Sequence, residues 1–313
     1  MQQSNSNNMT SHQGGHNASL SYVAAMLMLA SLGVFFHEAG LDAITTVFFR
    51  CLFAAWALGL YCWQRGMLVR RNLAGKGLAL AGFGGMLMVL NWVLFFQAIS
   101  HIGISLATII FHVQPFLVLL LATVFLHEKI SLQQLAWVGL GFAGLLLACG
   151  LQTASQDRGA HDFTGLLCTL GAALAYAGVT LTTRAMQKRQ SVPAMPPHLI
   201  ALVHCLVGVV LLGGFVHLPA SGVSYAQWAW LAGMGLLPTA LAYVLIYAAL
   251  PRMQTSAIAV LTFIYPAAAV GVDYLVYGQH VNLMQMAGLL LIVLASLGVS
   301  LNWRWSMRLL ARP

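Results

Sequence analysis

The feature that most constrains this chain is a series of long apolar runs separated by short polar segments. Of the 313 residues, 60% are hydrophobic and only 6% are charged, against about 25% charged residues in an ordinary soluble domain. A helix needs about 20 apolar residues to cross a bilayer, and ten runs approach this length. The sequence therefore excludes a soluble globular domain and predicts an all-α integral membrane protein with ten transmembrane helices. The predicted helices are about residues 20–37, 41–64, 75–99, 103–126, 131–150, 162–186, 196–217, 224–250, 253–277 and 282–303.

The positive charges test this helix count, because Lys and Arg collect in the cytoplasmic loops of membrane proteins. Twelve of the 14 Lys and Arg residues follow the even-numbered predicted helices. The opposite loops hold one cation, Arg158, and Arg50 is the one cation inside a predicted helix. The net charge of +8 therefore marks membrane topology, with both termini in the cytoplasm, and no nucleic-acid partner is expected. The twelve are Arg65, Arg70, Arg71, Lys76, Lys129, Arg184, Lys188, Arg189, Arg252, Arg304, Arg308 and Arg312.

The remaining polar features give no sign of a cofactor. The five cysteines show no CxxC or Cys/His ligand spacing and are interpreted as packing residues, so no metal and no cofactor are predicted. Residues 1–19 are polar and lack Lys and Arg, which predicts a disordered tail rather than the basic start of a secretory signal. Residues 304–313 are predicted to form a basic cytoplasmic tail.

The chain also contains an internal repeat, which emerges when it is aligned with itself at an offset of 151 residues. Both copies of the fifth helix then begin with the pattern of a capping box, in which an N-cap residue is followed three positions later by Gln. The repeat predicts two five-helix units, residues 20–150 and 162–303, joined by a periplasmic linker at 151–161. A unit with an odd number of crossings must be inverted in its second copy, and inverted repeats are typical of secondary transporters. The aligned pairs include Gly84 with Gly235, Trp92 with Tyr243, Phe96 with Tyr247, Pro115 with Pro266, and Ser131 with Asn282.

Three parts of the first repeat resemble a known family. The segment 107–115, the motif LHEKIS at 126–131 and a Gly-rich fifth helix resemble the EamA-type branch of the drug/metabolite transporter superfamily, over residues 20–303. The resemblance implies an inner-membrane carrier, often an exporter of amino acids and related metabolites, with a cavity lined by helices one, three, four, six, eight and nine. The usual Gly before the acidic residue is His127 here, and the acidic position of the second copy is Gln279. A symmetric acidic pair for ion coupling is therefore not expected.

Polar stripes and aromatic pairs within the predicted helices mark a candidate substrate cavity. Side chains spaced by three, four or seven residues share one face of a helix, and a polar face should avoid lipid. Aromatic rings in the spans can stack on a substrate, and the alternatives are hydrogen bonds between helices and ordinary packing. The predicted cavity lining is Asn91, Trp92, Phe96, Ser105, Thr108, His112, Tyr176, Thr180, Tyr243, Tyr247, Phe263 and Tyr265.

Four further residues stand out within the apolar helices. Arg50 is permanently charged, so its guanidinium either binds a substrate carboxylate or stabilises packing through an ion pair or a helix-end carbonyl. Asp273 either attracts a substrate ammonium or a proton, or reaches the membrane interface. Pro115 and Pro266 break their helices and are candidate gating positions.

These features predict a secondary transporter that exports small amphipathic metabolites, amino acids or related compounds, by alternating access. An uptake carrier for a metabolite, a small cationic drug exporter, and a channel or receptor-like protein are the alternatives. An enzyme is not expected, because the His-Glu pairs at 37–38 and 127–128 lack the second His of a metalloprotease motif. The expected partners are a small-molecule substrate and the lipid bilayer, while proton coupling and the choice between monomer and homodimer stay open.

Overall fold

The computed structural model describes residues 17–69, 73, 75–148, 163–188, 195–220, 222–277, 282–301 and 303. Within these ranges the backbone is helical apart from caps and turns, and it contains no strand. The predicted linker 151–161, the tail 304–313 and residues 1–16 of the predicted N-terminal tail lie outside the described residues. The first helix begins at Asn17, a few residues before the predicted start.

The helical segments are numbered α1 to α10 along the described chain. Seven of them (α1, α2, α3, α6, α7, α8 and α9) are long and apolar enough to cross a membrane, and shorter apolar helices supply the others. Their bounds are α1 Asn17–Ala39, with a turn at Ser31; α2 Ala43–Gln64; α3 Gly75–Ile99; α4 residues 100–111 and Gln114–Leu126; α5 Leu132–Ala148; α6 Phe163–Lys188; α7 Pro197–Leu212; α8 Tyr225–Arg252; α9 Thr255–Leu261 and Ile264–Tyr277; and α10 Leu283–Ser300.

The boundary between α3 and α4 has no loop residue, because residues Gly75–Phe111 are all helical. A straight helix rises 1.5 Å per residue, so Phe95 and Phe111 would be about 24 Å apart along it. Their ring centroids are 4.9 Å apart. The chain therefore reverses direction between them, as the sequence predicts for the junction between its third and fourth helices.

The helices that contain the repeat-related prolines, α4 and α9, are interrupted within one residue of matching positions. The helix of α4 breaks at residues 112–113 and that of α9 at residues 262–263. Each break lies one turn or less before a proline, Pro115 or Pro266, whose ring clashes with the carbonyl of the preceding turn and which has no N–H to donate. The predicted helix-breaking role of both prolines agrees with these breaks, while their gating role stays a prediction.

Two capping boxes begin α5 and α10, as the repeat predicts. At α10 the Asn282 side chain accepts from the Gln285 backbone N–H, and the Gln285 side chain accepts from the Asn282 backbone N–H. At α5 Ser131 and Gln134 exchange the same two bonds, at 3.2 and 2.8 Å. These reciprocal bonds satisfy backbone donors that a helix start leaves without partners.

Helices α5 and α10 pack closely through glycines. A Cβ atom added to Gly144 would lie 2.8 Å from the carbonyl oxygen of Gly288, so the two backbones are in direct contact there. Gly298 receives the ring of Trp137 in the same way. Small residues allow helices in lipid to gain van der Waals contact that larger side chains would prevent.

An ion pair between a buried arginine and a partly exposed glutamate joins the two halves of the chain. Arg184, near the end of α6, lies 3.2 Å from the Glu128 carboxylate beyond the end of α4 and donates to the Met253 carbonyl at 3.0 Å. The Thr255 hydroxyl at the start of α9 accepts from Arg184 and donates to Glu128. The expectations that Arg184 marks a loop and that Arg50 is the only cation inside a span are therefore wrong. Pairing with a carboxylate offsets much of the desolvation of this guanidinium.

His127 occupies the position at which the family that the sequence resembles usually has glycine. It ends α4 in the left-handed conformation, with φ of 51°, and the Glu128 N–H then reaches back to the Ala122 carbonyl. Glycine adopts this conformation freely, whereas a side chain makes it less favourable by about 1–2 kcal/mol. The turn orients Glu128 toward Arg184 despite the histidine.

We expect Gly144→Ala to destabilise the protein by about 1–3 kcal/mol, because its methyl group would overlap the Gly288 carbonyl. The matched control is Gly139→Ala, also on α5, where an added Cβ meets no atom within 4 Å. Thermal unfolding in detergent compares the two variants. Equal unfolding temperatures would contradict the proposed close approach of α5 and α10.

We also expect Glu128→Ala to be strongly destabilising, by about 3 kcal/mol, because it leaves the buried Arg184 charge without its carboxylate. The double variant Glu128→Leu/Arg184→Met removes both charges and should be more stable than Glu128→Ala alone. Unfolding of Glu128→Leu, of Arg184→Met and of the double variant completes the thermodynamic cycle. Strict additivity would mean that the pair contributes no coupling.

Candidate functional site

A cavity lies among seven helical segments drawn from both halves of the described chain. Counted together with its opening to solvent, it encloses about 620 Å³. The family resemblance implied walls from α1, α3, α4, α6, α8 and α9, and the structure adds α2 through Arg50. The lining residues are Met26, Leu29, Leu32, Arg50, Asn91, Trp92, Phe95, Phe111, His112, Gln114, Tyr176, Tyr243, Thr262 and Tyr265.

Arg50 is a buried cation in the wall of this cavity. Its Nε donates to the Thr239 hydroxyl at 2.8 Å, and its guanidinium carbon lies 4.3 Å from the centre of the Trp92 ring. One guanidinium nitrogen, Nη2, is buried and has no hydrogen-bond partner. No carboxylate among the described residues lies within ion-pair distance of Arg50. The guanidinium is thus held by a hydroxyl and an aromatic face while part of its donor capacity is unused.

A wide turn in α8 supplies the partner of Arg50. Residues Leu236–Leu241 form a π-helical turn that contains Pro238, and the Thr239 hydroxyl donates to the Met234 carbonyl at 2.7 Å. With its hydrogen committed there, the Thr239 oxygen is free to accept from Arg50. Such turns occur often at functional sites. Sequence reasoning missed Thr239, although a Pro-Thr pair inside an apolar run was the available signal.

His112 is buried in the cavity wall at the break of α4. Its Nδ1 donates to the Thr108 carbonyl at 2.7 Å, and its Nε2 is buried without a partner. The imidazole ring stacks on Phe263 and on Tyr265, with centroids 6.1 and 5.9 Å away. Aromatic stacking therefore fixes the plane of this ring.

Two pairs of repeat-related residues touch each other beside the cavity. Trp92 and Tyr243 align at the offset of 151 residues, and their ring centroids are 6.1 Å apart. His112 and Phe263 align at the same offset and stack. Contact between equivalent residues is what a local two-fold relation between the halves produces.

Six of the twelve predicted lining residues lie in the cavity wall. Asn91 is held by a hydrogen bond from its Nδ2 to the Ala172 carbonyl of α6, at 2.9 Å. Tyr176 packs its ring edge against Phe111, with centroids 6.1 Å apart. The six are Asn91, Trp92, His112, Tyr176, Tyr243 and Tyr265.

Five predicted lining residues lie outside the wall for identifiable reasons. Phe96 stacks on Phe36, with centroids 4.9 Å apart, and Phe263 lies behind His112. Thr180 donates to the backbone of its own helix, and Thr108 contributes to the site through its carbonyl, which holds His112. The fifth is Tyr247, whose hydroxyl is hydrogen-bonded to His204 at 2.7 Å. The side chains of Ser105 and Asp273 lie outside the described part of the structure.

Seven lining residues were not predicted. Five of them are apolar, and an apolar residue in a membrane helix carries no signal that separates a cavity from lipid or packing. Gln114 had a signal that was not used, since it precedes the proline of a span. The seven are Met26, Leu29, Leu32, Phe95, Phe111, Gln114 and Thr262.

Comparison with known proteins agrees with this architecture. A model of the EamA-like transporter family matches residues 17–150 and 163–301. An uncharacterized transporter of Bacillus subtilis, YxxF, is 27% identical over 277 residues, covering 88% of this chain and 86% of the relative. The pseudopaline exporter CntI of Pseudomonas aeruginosa is 26% identical over 263 residues, covering 84% of this chain and 88% of the relative.

Two further similarities concern function and fold separately. A probable amino-acid metabolite efflux pump of Salmonella typhimurium is 25% identical over 222 residues, covering 68% of this chain and 73% of that protein. A solved crystal structure superposes with a TM-score of 0.79 at 16% identity, covering 91% of this chain and 97% of the other. This second likeness supports the fold alone.

We expect Thr239→Val to lower stability by about 1–3 kcal/mol, because the Arg50 Nε would lose its acceptor in a buried environment. Thr239→Ser is the matched control, since it retains the hydroxyl. Thermal unfolding in detergent distinguishes the two. A valine variant as stable as the serine variant would show that the Arg50–Thr239 bond contributes nothing.

Proposed function

The chain belongs to the EamA-like transporter family, and on this basis we propose that it is a secondary transporter that exports small amphipathic carboxylates, amino acids or related compounds. Membership in a transporter family also agrees with the expectation that the chain is not an enzyme. It is a multi-pass membrane protein, and its similarity to bacterial transporters supports a location in the inner membrane.

The observation that carries the substrate proposal is the Arg50 guanidinium in the cavity wall. A central Arg costs roughly 2.5–3.5 kcal/mol to insert into a membrane, so its retention without a described acidic partner calls for a compensating role. A carboxylate accepts two parallel hydrogen bonds from a guanidinium, and one nitrogen of Arg50, Nη2, has no partner among the described residues. A bound carboxylate would give this nitrogen a hydrogen-bond acceptor.

The same charge argues against a small cationic drug as the substrate. No Asp or Glu is among the cavity-lining residues of the described chain, so a cation would meet an uncompensated positive charge at short range. The remainder of the wall is largely apolar or aromatic, including Leu29, Phe95 and Tyr243. This combination suits a molecule with one anionic group and an apolar body. Two relatives named as a pseudopaline exporter and a probable amino-acid metabolite efflux pump support export.

We propose alternating access between two inverted repeats, residues 20–150 and 162–303, with ten membrane crossings and both termini in the cytoplasm. The matching breaks in α4 and α9 and the contacts between repeat-related residues support this arrangement. Inverted halves that rock about a central site expose it to each side in turn. Tags at the two ends should be accessible from the same side of sealed vesicles, and opposite accessibility would contradict the proposed topology.

Flux measurements in proteoliposomes test the substrate proposal. We expect saturable flux of at least one member of a labelled amino-acid panel, and Arg50→Lys should weaken its binding about tenfold or more, because lysine cannot form the bidentate pair. The matched control is Arg65→Gln, an exposed cation after the end of α2, which should leave affinity unchanged.

Two other outcomes would contradict the proposal. Non-saturating flux accompanied by electrical current would indicate a channel, and absence of flux for all carboxylates tested would exclude this substrate class. Imposed pH and voltage gradients in the same vesicles report whether a proton moves with the substrate.

A further inference from the structure

We propose that His112 and Gln114 form a subsite that accepts hydrogen bonds from an ammonium group of the ligand, so that the cavity selects zwitterions over simple carboxylates. This inference rests on the proposed function and adds a second recognition point to Arg50. The charge of Arg50 alone does not distinguish an amino acid from a simple carboxylate, whereas acceptors on His112 and Gln114 of α4 would.

The hydrogen bond of His112 determines which ring nitrogen is left as the acceptor. A carbonyl oxygen can only accept, so the Nδ1 atom that contacts the Thr108 carbonyl at 2.7 Å must carry the hydrogen. In a neutral imidazole the other nitrogen, Nε2, is then an acceptor. Nε2 is buried and has no partner among the described residues.

Gln114 presents a second acceptor on the other side of the same helix break. Its side-chain oxygen, Oε1, is buried and has no hydrogen-bond partner, and the residue lines the same cavity as His112. An unsatisfied buried acceptor is costly, so two of them beside one cavity are unlike the usual state of a folded interior. An ammonium group has three donors and can satisfy both.

Three buried polar atoms of the lining residues complement a zwitterion. They have no hydrogen-bond partner among the described residues, and they are one donor, Arg50 Nη2, and two acceptors, His112 Nε2 and Gln114 Oε1. Two other polar side chains of the wall are already engaged: Asn91 donates to the Ala172 carbonyl, and the Thr262 hydroxyl donates to the Ile258 carbonyl. A carboxylate at Arg50 and an ammonium at α4 would leave none of the three groups unpaired.

The internal repeat shows that this subsite exists in one half only. The positions equivalent to His112 and Gln114 are Phe263 and Tyr265, and both of these rings stack on His112. Phenylalanine is thus accommodated at the matching position of the same backbone break. His112→Phe removes the acceptor while it keeps an aromatic ring in the stack.

The test compares two ligands that differ only in the ammonium group. Proteoliposomes containing the full chain are assayed for binding of each L-amino acid of the panel and of its des-amino carboxylate. The wild-type protein should bind the amino acid about tenfold or more tightly, the value of one charge-assisted hydrogen bond. His112→Phe should abolish most of this preference. Gln114→Met should also reduce it, and this second variant tests the subsite even if His112→Phe folds poorly.

Two controls separate this inference from the proposed function. Arg50→Lys should weaken both members of a pair alike, because both carry the carboxylate. His198→Phe changes a histidine that stacks on Tyr61 with centroids 4.7 Å apart, outside the cavity lining, and should leave the preference intact.

The remaining outcomes are equally informative. Equal affinity of the wild type for amino acid and des-amino ligand, or a full preference retained by both His112→Phe and Gln114→Met, would overturn the zwitterion subsite while leaving carboxylate transport in place. Failure of every carboxylate to bind the wild type would overturn the proposed function itself.

Discussion

The cost of placing charge and unsatisfied polar groups away from water governs this structure. The chain buries two guanidiniums among its described helices and treats them differently. Arg184 is neutralised by Glu128 and bonded to Thr255 and the Met253 carbonyl, so it serves to hold the ends of α4, α6 and α9 together. Arg50 is bonded to the Thr239 hydroxyl and lies over the face of Trp92, beside Tyr243. Each guanidinium keeps one buried nitrogen without a partner among the described residues, Arg184 Nε and Arg50 Nη2. The difference between them is the carboxylate, which Glu128 gives to Arg184 and which we propose that a ligand gives to Arg50.

The two halves share backbone features but differ in the side chains that they place at the cavity. The helix breaks of α4 and α9 match in position, and glycine contacts between α5 and α10 bring the repeated fifth helices together. The side chains at the breaks differ, since α4 carries His112 and Gln114 where α9 carries Phe263 and Tyr265. The scaffold is therefore shared, while the guanidinium, imidazole and amide side chains of the cavity wall all come from the first half. We propose that this asymmetry gives a bound molecule one preferred orientation.

Much of the fold could be predicted because membrane insertion imposes long apolar runs. The capping residues and prolines at repeat-related positions also determine where helices begin and break, and both are visible in the sequence. The cavity was predicted less completely. Polar and aromatic residues such as Asn91 and Tyr176 carry a signal, but Leu29 or Phe95 looks the same in sequence whether it faces lipid, another helix or a ligand. Arg184 was misassigned because its partner Glu128 is 56 positions away in the chain, a separation that no local pattern reveals. Thr239 depends on a wide turn whose only local sign is Pro238.

The contacts between Trp92 and Tyr243 and between His112 and Phe263 bear on how such a protein changes over evolutionary time. In an ancestral five-helix protein that paired with an inverted copy of itself, each of these positions would have faced its own duplicate, and any mutation would have altered both sides at once. Fusion of the copies into one gene releases that constraint, so a ring can become a histidine on one side while its counterpart stays aromatic. Residues on the symmetry axis are thus where a duplicated carrier acquires a new ligand preference with the fewest substitutions.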